Sequence, residues 1–196
     1  MNKQAENIKA VNDAWLNINV DDSKIINPFS VPTEEEFTTK LTWLMTNPDY
    51  FSFLCKELLN IEILPTQALM LKEMWNRKFP MLIASRGFGK SYILSVYAIL
   101  RALLMPGRKV IIVGAAFRQS KVLFEYMDGI WRNSPLLRDI VGSHGGPRRG
   151  VDMCRLTIGE STVTCLPLGD GSKIRGQRAN DIIADEFASI PREIFE

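Results

Sequence analysis

The 196-residue sequence predicts an α/β fold with a mostly parallel central sheet, preceded by a helical region. Three stretches carry that reading. Met81-Leu82-Ile83-Ala84 runs into Ser85-Arg86-Gly87-Phe88-Gly89-Lys90-Ser91 and then an apolar segment, the strand–loop–helix order of a phosphate-binding turn. Val110-Ile111-Ile112-Val113 is a continuous β-branched run of the kind buried on both faces of a parallel sheet. Asn180-Asp181-Ile182-Ile183-Ala184 is a further buried strand, and it ends in the acids Asp185 and Glu186. Helical patterns separate the first strands, as right-handed crossovers require.

The elements follow in order. Residues 1–32 predict a short helix and an extended linker around Asn27-Pro28-Phe29-Ser30-Val31-Pro32. Thr33 followed by Glu36 forms a capping-box pattern, starting a helix to about Met45. Asn47-Pro48-Asp49 breaks it, and a second helix runs to about Asn60, packed on the first through Phe37, Leu41, Phe51 and Leu54. Pro65 and Thr66 open a helix from Ala68 to about Arg77. The helix from Lys90 stops near Met105 at Pro106-Gly107, and another spans Phe117 to about Trp131. Gly142–Gly150 reads as a basic loop, and Met153–Ile158 with Thr162–Leu168 as a hairpin closed by Gly159-Glu160-Ser161. The domain boundary falls between a helical region, 1–62, and an α/β domain, 63–196.

Bulk properties narrow the function. A formal net charge of +2 covers an acidic excess in residues 1–64 and a basic excess beyond them, which favours a polyanionic ligand on the later part. No apolar run reaches the roughly 18–20 residues of a membrane span. Cys55, Cys154 and Cys165 have no metal-binding spacing and read as reduced thiols. The single His144 sits among glycines, which argues against a His-based metal site or a serine-type triad.

The loop is where chemistry is expected. Gly87 and Gly89 let the backbone curl so that successive N–H groups face phosphate oxygens, and the next helix adds its positive end. Lys90 is placed for the β- and γ-phosphates of ATP and Ser91 for Mg²⁺. Ala84 stands where the usual pattern has its first glycine. At a strand's carboxyl end, Asp185 suits a Mg²⁺ partner and Glu186 a base for the attacking water. Gln67, just behind Pro65, offers the donor–acceptor pair that reads an adenine edge. Arg86, Arg118 and Arg175 are candidates for stabilising charge in the transition state.

Ser85–Ser91, Val110–Gly114 leading to Gln119-Ser120, Ile174-Arg175-Gly176 and Ile182–Glu186 occur in an order that resembles the ATPase domain of tailed-bacteriophage terminase large subunits. The resemblance runs from about residue 60 to the C-terminus. It implies a RecA-like P-loop NTPase of the additional-strand, catalytic-glutamate type, and an ATP site of Gln67, Ser85, Arg86, Gly87, Phe88, Gly89, Lys90 and Ser91. By the same resemblance Arg86 is an arginine finger, Lys90 the phosphate lysine, Asp185 with Ser91 the Mg²⁺ ligands and Glu186 the catalytic carboxylate. It implies double-stranded DNA, a portal protein on a procapsid and a small terminase subunit as partners. A homo-oligomeric ring on the portal, action in the host cell cytoplasm and no membrane association are also implied. The sequence stops about ten residues past the acidic pair, so the sheet is expected to be incomplete and the family's coupling motif and nuclease domain to lie outside this chain. Two other readings compete: a helicase-like DNA-dependent ATPase, and a nucleotide-binding assembly factor without turnover.

Overall fold

A computed structural model describes residues 33–114, 116–142, 145–167 and 178–190. The chain divides into two compact units, Met1–Leu44 and Met45–Glu196. Most of helix α1 (Glu34–Thr46) belongs to the first. Its start is capped as the sequence predicts, with the Glu36 N–H donating to Thr33 Oγ1 at 3.2 Å. Three glutamates in its first turn suit the helix dipole. Among the described residues, none in α1 is buried.

The second unit starts with a turn at Asn47, whose side chain accepts from the Asp49 N–H, and helix α2 (Phe51–Leu59). Asn60 ends α2 in the left-handed conformation that asparagine tolerates, and its side chain donates to Asn133 O at 3.0 Å. Helix α3 (Pro65–Asn76) begins with proline at its first position, where no N–H is needed. Helix α4 (Lys90–Leu104) is the most enclosed, with Ile93, Val96, Ile99 and Leu100 fully buried. Strand β1 (Lys109–Gly114), helix α5 (Phe117–Asn133), helix α6 (Pro135–Val141) and strands β2 (Gly146–Arg149), β3 (Cys154–Ile158), β4 (Ser161–Pro167) and β5 (Asp181–Asp185) complete it. Among the described residues, no helix is long and apolar enough to cross a membrane.

The sheet has the order β2-β3-β4-β1-β5. β1 pairs in parallel with both β4 and β5, whereas β3 runs antiparallel to β4 and β2 to β3. The mostly parallel sheet expected is therefore mixed, half its pairings being antiparallel, because the β3–β4 connection is too short for a crossover. Register places Val110, Ile112, Val163, Cys165 and Ile183 on one face, against which α4 and α5 pack. Ile111, Val113 and Leu166 lie on the other, packed with Ile190 in a smaller cluster. Being buried on both faces is why β1 tolerates no polar alternation.

Four expectations need correction. Residues 81–84 form no strand: they enter no ladder, and composition alone does not make a strand without a hydrogen-bonded neighbour. The basic loop at 142–150 contains β2, whose Pro147 is accommodated because β2 is an edge strand. The hairpin turn has two residues, not three, because Ile158 pairs with Ser161 and Gly159 takes the positive φ a tight turn needs. Helix α6 was also missed, although Ser134 followed by Pro135 signals it; Ser134 Oγ accepts from the Leu137 N–H and donates to Leu58 O at 2.7 Å.

The foot of β5 is fastened by charge. Asp181 Oδ1 accepts from Arg101 Nη2 at 2.9 Å, and Arg108 Nε lies 3.0 Å from Oδ2, within ion-pair distance but out of hydrogen-bond alignment. Arg101 also stacks on the Trp75 ring, 4.5 Å from its centroid. Next to it, the Lys109 N–H donates to Asn180 Oδ1 at 2.8 Å, and Asn180 N–H to Lys109 O. Removing the shared carboxylate leaves two arginines poorly solvated and unpaired. Asp181→Ala should lower unfolding free energy by about 3 kcal/mol, the usual cost of breaking a largely buried pair, as read by urea denaturation. A change under about 0.5 kcal/mol, typical of a surface site, would remove this anchor from the account of the fold.

Candidate functional site

The loop before α4 is shaped by two glycines, Gly87 and Gly89, both at φ 83°. Gly89 is the residue from which α4 starts, so the unpaired N–H groups of that helix's first turn open onto the loop. A side chain at 89 would be strained by its φ, and its Cβ would stand 3.1 Å from Gln67 Nε2. Gln67 spends its Oε1 on the Leu64 N–H at 3.0 Å, which turns its amide nitrogen toward Gly89. Lys90 reaches back along the loop: its Nζ donates to Ala84 O at 2.6 Å and to Ser85 O at 2.8 Å. The ammonium thus sits inside the curl of the loop.

Ser91 is half-buried in the first turn of α4, and its hydroxyl has no hydrogen-bond partner among the described residues. One turn on, Ser95 Oγ donates to Ser91 O at 2.7 Å and lies 3.0 Å from Leu123 O, tying this end of α4 to α5. Ser85, Arg86 and Phe88 are exposed, and Arg86 makes no ion pair among the described residues. Arg118 is exposed on the first turn of α5. Arg175 and His144 lie outside the described residues.

The acidic pair ends β5 as expected. Asp185 Oδ1 accepts from the Glu186 N–H at 3.1 Å. Burial pushes the Asp185 carboxyl above its ordinary range; the Glu186 N–H opposes this, the Glu186 charge adds to it, and the Lys90 ammonium opposes it. The influence of Lys90 is the smallest of the four. Glu186 itself adopts φ 50°, the left-handed region, and its exposed side chain accepts a hydrogen bond through Oε2 from Gln119 Nε2. Gln119 is the residue whose contribution to the site sequence reasoning missed. The available signal was its place at the start of the helix that follows β1.

Asp185 has one carboxylate oxygen unused by the protein and a burial penalty that a cation relieves. Together with the unpartnered Ser91 hydroxyl, that donor set fits a hard divalent ion such as Mg²⁺. No cluster of three His, Cys, Asp or Glu side chains suited to a metal occurs among the described residues. A separate concavity, lined by Lys109, Ile111, Thr162, Thr164, Arg155 and Arg178, includes neither the loop nor the acids. The three cysteines are buried and unpaired, and burial pushes the Cys55 thiol up to about 12, which suits inert core positions.

The raised Asp185 carboxyl makes a pH-dependent prediction. A group that holds its proton more tightly when folded stabilises the fold most below its unfolded value of 3.8, and that contribution is lost as pH rises through the folded value. At neutral pH the ionised side chain is a cost that Asn lacks, while Asn Oδ1 can still accept from the Glu186 N–H. Without Mg²⁺ and nucleotide, Asp185→Asn should melt higher than the wild type at pH 7 and converge with it as pH falls below 3.8, where the aspartate is protonated in the folded and the unfolded chain alike. Thermal melts over that range test it, and a less stable variant at pH 7 would refute the burial argument.

Residues 81–196 match the family described as terminase large subunit, T4likevirus-type, N-terminal. No curated protein matches the chain.

Proposed function

This chain belongs to the T4-like family of terminase large subunits, and we propose that it is the ATP-binding and ATP-hydrolysing motor part of a viral DNA-packaging enzyme. The family ties the chain to viral DNA packaging. The observation that supports the finer reading is the position of Lys90, whose Nζ lies on the Ala84 and Ser85 carbonyls of the loop that bends at Gly87 and Gly89.

In this reading Lys90 exchanges the Ala84 and Ser85 carbonyls for phosphate oxygens, a stronger bond because the acceptor is then anionic. The first N–H groups of α4 bind the same phosphates. Gln67, beside Gly89, contacts the nucleotide. Arg86, with no partner of its own among the described residues, supplies positive charge at the γ-phosphate. Ser91 and Asp185 hold Mg²⁺, which when bound shields the phosphate charges. Glu186 takes the proton of the attacking water on its carboxylate. Double-stranded DNA, a portal-bearing procapsid and a small terminase subunit are the proposed partners, with the motor assembled as a ring.

Lys90→Ala should weaken ATP binding at least tenfold, the effect of losing about 1.5–3 kcal/mol of charge-assisted hydrogen bonding, as measured by calorimetry with Mg²⁺. Equal affinity would end the phosphate-loop assignment. Glu186→Gln should keep that affinity and lose about 10²-fold or more in turnover with DNA and procapsids present. Undiminished hydrolysis by this variant would remove Glu186 as the base. ATP-driven protection of DNA from nuclease inside procapsids is expected. Strand separation without uptake would favour a helicase instead.

A further inference from the structure

Glu186 is held in place from three directions. Asp185 accepts its N–H, the Ser189 N–H donates to its carbonyl at 2.8 Å, and Gln119 donates to its side chain. Its left-handed backbone is unfavourable for a residue with a side chain and persists only where neighbours impose it. The carboxylate is exposed and could be satisfied by water, so it does not need Gln119 for solvation.

Gln119 is itself constrained. Its Oε1 accepts from the Ala116 N–H at 3.0 Å, at the start of α5, so the opposite end of the amide must present N–H donors. Capping the helix uses only that oxygen; the bond from Nε2 to Glu186 adds nothing to the cap. Room for the amide comes from Gly114 at the end of β1. A Cβ there would stand 3.1 Å from Gln119 Cβ and 3.2 Å from its Oε1. The end of β1 and the first turn of α5 therefore form a bracket that aims a donor at the carboxylate.

We infer that Gln119 is a positioning residue for Glu186. It fixes Oε2 and so orients Oε1, the remaining acceptor, toward the water to be activated. This rests on the reading of Glu186 as the base. In this role Gln119 acts through that carboxylate rather than on the substrate.

The decisive variant is Gln119→Glu, which keeps the acceptor used by Ala116 but replaces the donor with a second carboxylate. ATP affinity and KM should stay within about twofold of wild type while kcat falls about tenfold or more, the cost of a misplaced catalytic group. Gln119→Ala should show the same split even if it melts lower from loss of the cap. A readout independent of nucleotide is the Gln119 side-chain amide resonance, assigned by its absence in Gln119→Ala, which should move in Glu186→Ala. Wild-type kcat in Gln119→Glu, or an amide resonance unmoved by Glu186→Ala, overturns the role of Gln119. Failure of the wild-type chain to bind ATP instead overturns the reading of the site, and the two results cannot be confused.

Discussion

The placement of the acidic pair depends on how β5 is attached. Among the described residues it is hydrogen-bonded along one edge only, to β1, over the five positions from Val110↔Asp181 to Gly114↔Asp185. Such a strand would slip or fray if nothing fixed its start. Asp181, bridged to Arg101 at the end of α4 and to Arg108 just before β1, supplies that fixed point, with Asn180 locking the backbone of Lys109 beside it. The same α4 that holds the foot of β5 through Arg101 carries Lys90 at its other end. One helix thus sets both limits of the site, and the β1 ladder transmits the register between them.

At this end of the sheet, Lys90, Asp185 and Glu186 each have a neutral hydrogen-bond partner. Lys90 lies on two carbonyl oxygens, Asp185 on a backbone N–H, and Glu186 on an amide. These are hydrogen bonds between a charge and a neutral group, worth about 1.5–3 kcal/mol each. They are enough to hold the side chains in place, and a ligand that brings opposite charge can outcompete them. Asp185 is the least comfortable of the three, because burial works against its ionised form and the Lys90 charge only partly compensates. On the proposed reading, a cation beside Asp185 would remove that penalty.

Much of this was readable from residue order. The buried β-branched run at Val110–Val113, the glycines before Lys90 and the acids after Ile183 each follow from local chemistry, and the structure forms β1, the loop and β5 there. What failed were inferences that needed a partner. Met81–Ala84 has the composition of a strand, but a strand exists only where it pairs, and these residues pair with no edge of the sheet. Pro147 argued for a loop, and an edge position removed the objection. Gln119 was visible as a motif residue yet silent about its target, 67 positions away in sequence. No spacing rule connects those two residues; only the parallel pairing of β1 with β5 does.

The absence of a ladder at 81–85 also bears on how the loop is held. Its outgoing side is α4, whose buried residues and Ser95 contacts to α5 give it a rigid seat. Its incoming side is extended chain with Met81 and Ile83 largely exposed. The bonds from Lys90 Nζ to Ala84 O and Ser85 O tie the loosely seated side to the rigid one. On the proposed reading, a Lys90 that turned to a phosphate would release those carbonyls, which would link ligand binding to the position of residues 81–85 through a single side chain. The lysine proposed to bind phosphate is therefore also what fastens the loop, with the buried α4 as its fixed reference.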